Sequence, residues 1–276
     1  ALYDSEGKLY DRIASGAHDT VDEYKKALEM GGAKLTSFKC KHLNIWLDGM
    51  IGEIYIPTEE VRKCKLQEPF SWCGRQVYIG IDLAMTTDNC SVAMITEEGG
   101  KVYANVWAFI PADRIEEKTR IEKVDYRAMI RNGNCFACGE NVVDYGFIES
   151  FILGLEEKYG VVIMGIGFDR YNCLSTAQKL ETNGYETTEI KQHSSVLHSP
   201  TKLLEELVLT QHFGYERNRL LEINFANARC LYDTNLNRYV NKKKSTGKID
   251  MVASLINAMY LLEKDRLQED FVVQVF

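Results

Sequence analysis

Three aspartates interrupt apolar runs of this chain. Asp82 stands in Tyr78-Ile79-Gly80-Ile81-Asp82-Leu83, Asp169 follows Ile166-Gly167-Phe168, and Asp250 opens a run with apolar residues at 252, 255, 256, 259 and 262. A carboxylate within a buried run is costly unless it is paired or bound to a metal. Three hard oxygen donors, with no histidine among them, suit Mg²⁺ or Mn²⁺ rather than zinc. Two such ions about 4 Å apart can activate a water and stabilise the leaving oxygen of a phosphodiester. Without metal, carboxylates this close raise one another's pKa. Each acid has a plainer reading on its own: a turn or cap residue for Asp82 and Asp169, an N-terminal helix acid for Asp250. As a set they are the candidate catalytic and metal-holding residues.

Such a set needs elements that bring it together. Val77–Leu83, Cys90–Thr96 and Lys101–Phe109, the last after the Gly99-Gly100 turn, predict a three-stranded meander. Val161–Phe168 predicts a fourth strand, followed by a helix over Asn172–Asn183 and a shorter strand over Glu186–Lys191. Short helices are expected at Val21–Met30, closed by Gly31-Gly32, and from Pro57 through Lys65. Ser199-Pro200 reads as an N-cap followed by a proline at the first helical position, and Asp250–Glu263 has helical spacing. The charged stretch Asp113–Arg131 reads as helix or a lid-like connection. A meander followed by alternating strands and helices predicts an α/β fold with a mixed central sheet. Period two places Tyr78, Gly80 and Asp82 on one strand face, and Gly165, Gly167 and Asp169 on another. Each acid thus has a glycine two residues upstream on its own side. Side-chain-free positions let another backbone come close, and the helix starting at Asp250 is the candidate.

The 276 residues include 33 Lys+Arg and 40 Asp+Glu, a formal net charge of −7, with 45% hydrophobic residues. That is a globular composition; it excludes a disordered tail, a collagen-like repeat and a small disulfide scaffold. No run approaches the length of a membrane span, and the start lacks the features of a signal peptide. The missing initiator Met suggests excision from something longer. The eight cysteines read as reduced thiols of a cytosolic compartment. The acidic balance argues at first against a nucleic-acid partner. However, Arg238, Lys242, Lys243, Lys244 and Lys248 lie in one segment that has no acid and leads straight into Asp250. The strip reads as phosphate-contacting, with Lys248 the best single candidate; the alternative is a solvated hairpin tip.

The remaining polar residues carry plainer expectations. Asp88 could be an outer-shell ligand or a hairpin-turn residue, and Asp144 reads as a helix N-cap. Cys135 and Cys138 form a lone CxxC without a second pair. His193 and His198 are expected to flank a loop near the site, and Ser195 beside His193 is no triad signature.

Four segments, in order, carry a family likeness: Tyr78-Ile79-Gly80-Ile81-Asp82-Leu83-Ala84-Met85-Thr86-Thr87-Asp88, Asn141-Val142-Val143-Asp144-Tyr145, Phe168-Asp169-Arg170-Tyr171-Asn172 and Ser245-Thr246-Gly247-Lys248-Ile249-Asp250. They resemble the C-terminal nuclease part of tailed-bacteriophage large terminases. Lys41-His42-Leu43-Asn44-Ile45-Trp46 resembles that family's segment between ATPase and nuclease domains. The likeness runs from about residue 35 to 262. It implies an RNase H-like fold, with a mixed central sheet flanked by helices, and a metal-dependent endonuclease that cuts concatemeric viral DNA during packaging. The family's three metal ligands fall on Asp82, Asp169 and Asp250, with two Mg²⁺ or Mn²⁺ as cofactors. Implied partners are double-stranded viral DNA, a portal protein and a small terminase subunit, in the host cytoplasm and not in the mature virion. No G-x-x-x-x-G-K-[ST] occurs. The expected organisation is therefore residues 1–70 as linker or tail of a motor domain and 71–276 as nuclease, cutting without translocating. Two other readings remain: an actin- or sugar-kinase-like ATPase using the Asp82–Asp88 hairpin as a phosphate cradle, and a non-catalytic module docking on DNA or portal.

Overall fold

The computed structural model describes residues 22–26, 28–29, 53–84 and 88–273. The expected glycine stop at 31–32, the Lys41–Trp46 segment and the hairpin residues Met85, Thr86 and Thr87 lie outside the described residues. Two compact units are present, Ala1–Glu53 and Ile54–Phe276. In the first, residues 22–26 and 28–29 are helical, within the predicted Val21–Met30 helix. The second starts at Ile54 rather than after residue 70. Tyr55, Ile56, Val61 and Cys64 are buried in the core that the sheet helps to form, so residues 54–70, expected as linker, are part of its packing.

After α1 (Thr58–Lys63), β1 (Gln76–Asp82), β2 (Cys90–Glu98) and β3 (Lys101–Ile110) form the predicted antiparallel meander, with Asp82 opposite Ser91. The charged stretch folds as α2 (Ile115–Glu122) and α3 (Tyr126–Arg131), leading into β4 (Cys135–Ala137). Next come α4 (Tyr145–Leu153), α5 (Leu155–Tyr159), β5 (Val162–Phe168), α6 (Arg170–Thr182), β6 (Thr187–Glu189) and α7 (Ser194–Leu209). The chain continues through β7 (Phe213–Tyr215), α8 (Arg219–Asn227), the β8 (Arg229–Tyr232) and β9 (Arg238–Val240) hairpin, and α9 (Asp250–Val273). Among the described residues the main sheet has the order β4-β3-β2-β1-β5-β6, with β7 sharing the outer edge of β3 with β4. β5 runs parallel to β1, and β6 parallel to β5, so the sheet is mixed.

Alternation along the strands divides the core. Val77, Ile79 and Ile81 pack with Val92, Met94, Trp107 and Phe109 under α4 and α6. Tyr78, Ala93 and Ile95 face the opposite side, covered by α7, α8 and α9. Helices thus flank a mixed sheet on both faces, the RNase H-like arrangement. One element differs from expectation. α7 begins at Ser194, six residues before Pro200, and its N-cap is His193. Pro200 therefore sits inside the helix and cannot donate to the carbonyl one turn back. Burial of Leu197, Leu204, Leu207 and Val208 along the same helix outweighs that lost bond.

The glycines on the α9 face do what their spacing predicted. A Cβ on Gly80 would lie 2.5 Å from the Ala258 nitrogen and closer still to the Ser254 carbonyl oxygen. One on Gly167 would lie 3.0 Å from the Asn257 carbonyl oxygen and 2.7 Å from Ile190 Cδ1. Helix α9 thus rests directly on β1 and β5. Because the obstacles at Gly80 are backbone atoms, they cannot rotate aside, and Gly80→Ala should cost about 2–4 kcal/mol in chemical denaturation. A loss below about 0.5 kcal/mol would contradict the close approach.

Candidate metal centre

Ile81 pairs with Phe168 across the parallel strands β1 and β5, so Asp82 and Asp169 follow at the same sheet end. Adjacent strands are about 4.8 Å apart. The close seat of α9 on Gly80 and Gly167 brings its first residue, Asp250, to this end. Three polar contacts fix the helix rotation. Ser254 Oγ lies 2.8 Å from Ser91 Oγ, Asn257 Nδ2 donates to Ile81 O at 2.9 Å, and the Met251 N–H donates to Asn224 Oδ1 at 3.1 Å. Asp82 is 3% exposed and Asp250 7%, whereas Asp169 is half-buried. Asp169 also caps α6, accepting from the Tyr171 N–H at 3.2 Å.

Lys242 supplies the cation at this end. Its Nζ donates to both oxygens of Asp82, at 2.6 and 2.5 Å, and stands 3.8 Å from Asp250 Oδ1. It projects from a 3₁₀ turn, Lys242–Lys244, capped by Asn241. Asp250 Oδ2 is buried and has no hydrogen-bond partner. Burial, then the Asp82 charge, pushes the Asp250 carboxyl up to about 7 against the pull of Lys242. Asp169 is raised by burial and by Asp82, against the Tyr171 N–H and Lys242. Burial would lower the Lys242 ammonium, but Asp82 and Asp250 outweigh it and raise its pKa.

Among the described residues no three His, Cys, Asp or Glu side chains converge closely enough to hold a metal as they stand. The ammonium of Lys242 lies between Asp82 and Asp250. An unpartnered buried carboxylate oxygen, an all-oxygen donor set and two buried carboxylates that already draw in a cationic side chain together fit a hard divalent ion.

The basic strip departs from expectation. Arg238 pairs with Glu205 and donates to the carbonyls of Ile54 and Tyr55, at 3.2 and 3.1 Å, with its side chain 15% exposed. It ties the β9 strand to the start of the unit and does not offer its guanidinium to a phosphate. Lys242, though half exposed, gives its ammonium to the buried charge of Asp82. Lys248 donates to Asp88, which also lies 3.8 Å from Lys118 of α2. Burial alone would raise the Asp88 carboxyl; Lys248 and Lys118 overcome it and hold the carboxyl below its ordinary value. Lys243 and Lys244 stay exposed. Asp88, Lys242, Lys248 and Asp250 border a cavity of about 500 Å³ that Glu122, Tyr126, Asn224 and Asn227 also line.

Several positioning residues were not anticipated. Tyr145 Oη donates to Ala84 O at 2.7 Å and Asn172 Nδ2 to Leu83 O at 3.2 Å, so two of the resemblance segments grip the chain just beyond Asp82. Asn227 Nδ2 donates to Lys248 O at 3.1 Å. The available signal was an amide inside an apolar helix, at 224, 227 and 257. Asp144 caps α4 as predicted, accepting from the Gly146 N–H. His193 and His198 flank no loop: His193 caps α7, and His198 Nδ1, within α7, accepts from the Arg238 N–H at 2.9 Å. Cys135 and Cys138 belong to core layers on opposite sides of the sheet, so they do not form a common metal site.

Asp250 carries a pH prediction. Its folded-state pKa is raised, so the fold holds that proton while the unfolded chain releases it. Stability then falls as pH rises from about 4, with the penalty complete above the raised value. Asp250→Asn should therefore stabilise the metal-free protein by roughly 1–3 kcal/mol at about pH 8, with the gain vanishing near pH 4. Thermal melts across pH check this; a gain independent of pH, or a loss at pH 8, would contradict it.

The geometry can be set beside known proteins. A model of the family described as "Terminase large subunit, endonuclease domain" matches residues 14–265. A curated relative, the terminase large subunit of Enterobacteria phage HK97, is 26% identical over 184 residues, spanning 65% of this chain and 36% of that protein. The chain thus covers about a third of that relative's length. The crystal structure of the HK97 bacteriophage large terminase superposes with a TM-score of 0.71 at 19% identity, over 93% of this chain and 51% of that one. The likeness is looser, with a TM-score of 0.48 at 14% identity, to the large terminase nuclease of thermophilic phage G20c, over 76% of this chain and 97% of that one. With most of its length matched by the family model, the chain belongs to the terminase large subunit endonuclease domain family.

Proposed function

We propose that this chain is a metal-dependent endonuclease that cuts concatemeric viral DNA during genome packaging, with Asp82, Asp169 and Asp250 as its metal ligands. One observation carries the reading: Asp82 and Asp250 are buried beside Asp169 at one sheet end, with an oxygen of Asp250 left unpartnered. Burying such charges is costly unless a cation repays it. When bound there, two divalent cations, Mg²⁺ or Mn²⁺, would activate the attacking water and stabilise the leaving oxygen of the phosphodiester.

The chain's own residues do the rest. Asp82 and Asp250 are held from opposite sides by the sheet and α9, and Asp169 by the first turn of α6, so the backbone sets where each donor starts and the side chains close onto the metal on loading. Asp88, steadied by Lys248 and Lys118, is suited to an outer-shell role. Lys243 and Lys244 on the exposed turn are suited to phosphate contact, which gives affinity without sequence preference. A net charge of −7 argues for weak, salt-sensitive DNA binding by this piece alone. In the longer protein, the portal and a small terminase subunit would supply the remaining grip, in the host cytoplasm during assembly and outside the mature virion. Residues ahead of Ile54 fit the tail of a motor domain or a linker.

Asp82→Asn, Asp169→Asn and Asp250→Asn should each reduce Mn²⁺-dependent plasmid nicking by about 100-fold or more while far-UV circular dichroism stays native. Wild-type cleavage by any one variant would remove that residue from the site. Cleavage by none of the proteins, wild type included, would favour the docking reading. ATP turnover by the chain would favour the kinase-like one.

A further inference from the structure

We propose that Lys242 is a built-in surrogate for the divalent cation: its ammonium holds the metal position between Asp82 and Asp250 and must be expelled for metal to load. The inference rests on the reading of these aspartates as a metal site.

The geometry leaves no room for both cations. One ammonium engages both oxygens of Asp82, at 2.6 and 2.5 Å, and faces Asp250 Oδ1 at 3.8 Å. A Mg²⁺ ion approaches its oxygen ligands to about 2.0–2.1 Å, so a metal on Asp82 would press against that ammonium and be repelled by it.

The surroundings make Lys242 suited to leaving. Its side chain is 47% exposed, against 5% for Asp82 and 10% for Asp250, so one side of the lysine opens to solvent. The backbone of its turn is fixed separately: Asn241 Oδ1 accepts from the Lys244 N–H, and Ser245 Oγ donates to Asn241 O. Departure therefore needs side-chain rotation only. Lys243 and Lys244, on the same turn, form no ion pair with the aspartates, so the surrogate role belongs to one residue. In the metal-free protein Lys242 compensates the buried Asp82 carboxylate and gives Asp250 partial relief, and metal then exchanges one cation for another.

Mn²⁺ binding followed by electron paramagnetic resonance tests this in the whole chain. Lys242→Met and Lys242→Gln should bind Mn²⁺ about tenfold or more tighter than wild type, because no charge-assisted hydrogen bonds have to be broken first. Lys243→Met should stay within about twofold, because an exposed neighbouring charge acts weakly. Asp250→Asn should remove the tight binding in every background. Equal affinity in wild type and both Lys242 variants, with Asp250→Asn still abolishing it, would overturn the surrogate role and leave the metal site standing. Absence of Mn²⁺ binding in all the proteins would overturn the metal site, and the surrogate role with it. Wild type gives a second readout that does not depend on variants folding. On Mg²⁺ titration of ¹⁵N-lysine-labelled protein, the Lys242 ¹⁵Nζ resonance should move to the solvent-exposed position. A resonance unmoved at saturating Mg²⁺ would contradict the proposal.

Discussion

The contact of a helix backbone with two glycines underlies the site. Without side chains at Gly80 and Gly167, α9 rests on the sheet with its own main chain against β1 and β5. Each glycine lies two residues before an aspartate on the same strand face, so the contact that seats the helix also brings its first residue to the sheet end that carries Asp82 and Asp169. Ser91 with Ser254, and Asn257 with the Ile81 carbonyl, lock the rotation of the helix at that contact. A larger residue at either position would move Asp250 as well as loosen the core.

Charge at the end of the sheet follows from that packing. Two carboxylates are brought out of water together; burial first, and the Asp82 charge second, raise the Asp250 carboxyl against the partial relief that Lys242 gives. Lys242 supplies that cation from a turn that otherwise faces solvent. The second pairing, Asp88 with Lys248 and Lys118, links the chain just ahead of Asp250 to α2, which arises from the charged stretch 113–131. A net acidic chain thus spends part of its basic charge on its own carboxylates, and on the turn Lys243 and Lys244 are the lysines not engaged by the site's aspartates.

Much of this was legible in the sequence, for identifiable reasons. Strands β1, β2, β3 and β5 are apolar runs with alternation, so their extent and the faces of Asp82 and Asp169 follow from period two. The glycine-before-aspartate spacing foretold the approach of α9 because only a missing Cβ permits it. The destination of each lysine was not legible. A run of basic residues looks the same whether it faces phosphate or folds back on a buried carboxylate, and Arg238 paired with Glu205 through a contact 33 residues apart in sequence. Pro200 misled for a local reason: Ser-Pro marks helix starts, and tertiary burial along α7 overrode it. Residues 54–70 read as linker because the sequence alone gives no sign that Tyr55 and Val61 are buried beneath α7 and α8.

The central claim is that this packing assembles a divalent-metal site from three carboxylates. Its most direct test is anomalous diffraction from crystals of the chain soaked in Mn²⁺ at neutral pH. The account predicts manganese peaks bounded by Asp82, Asp169 and Asp250, within about 2.0–2.4 Å of their oxygens. Saturating Mn²⁺ with no anomalous density among these three side chains would contradict it.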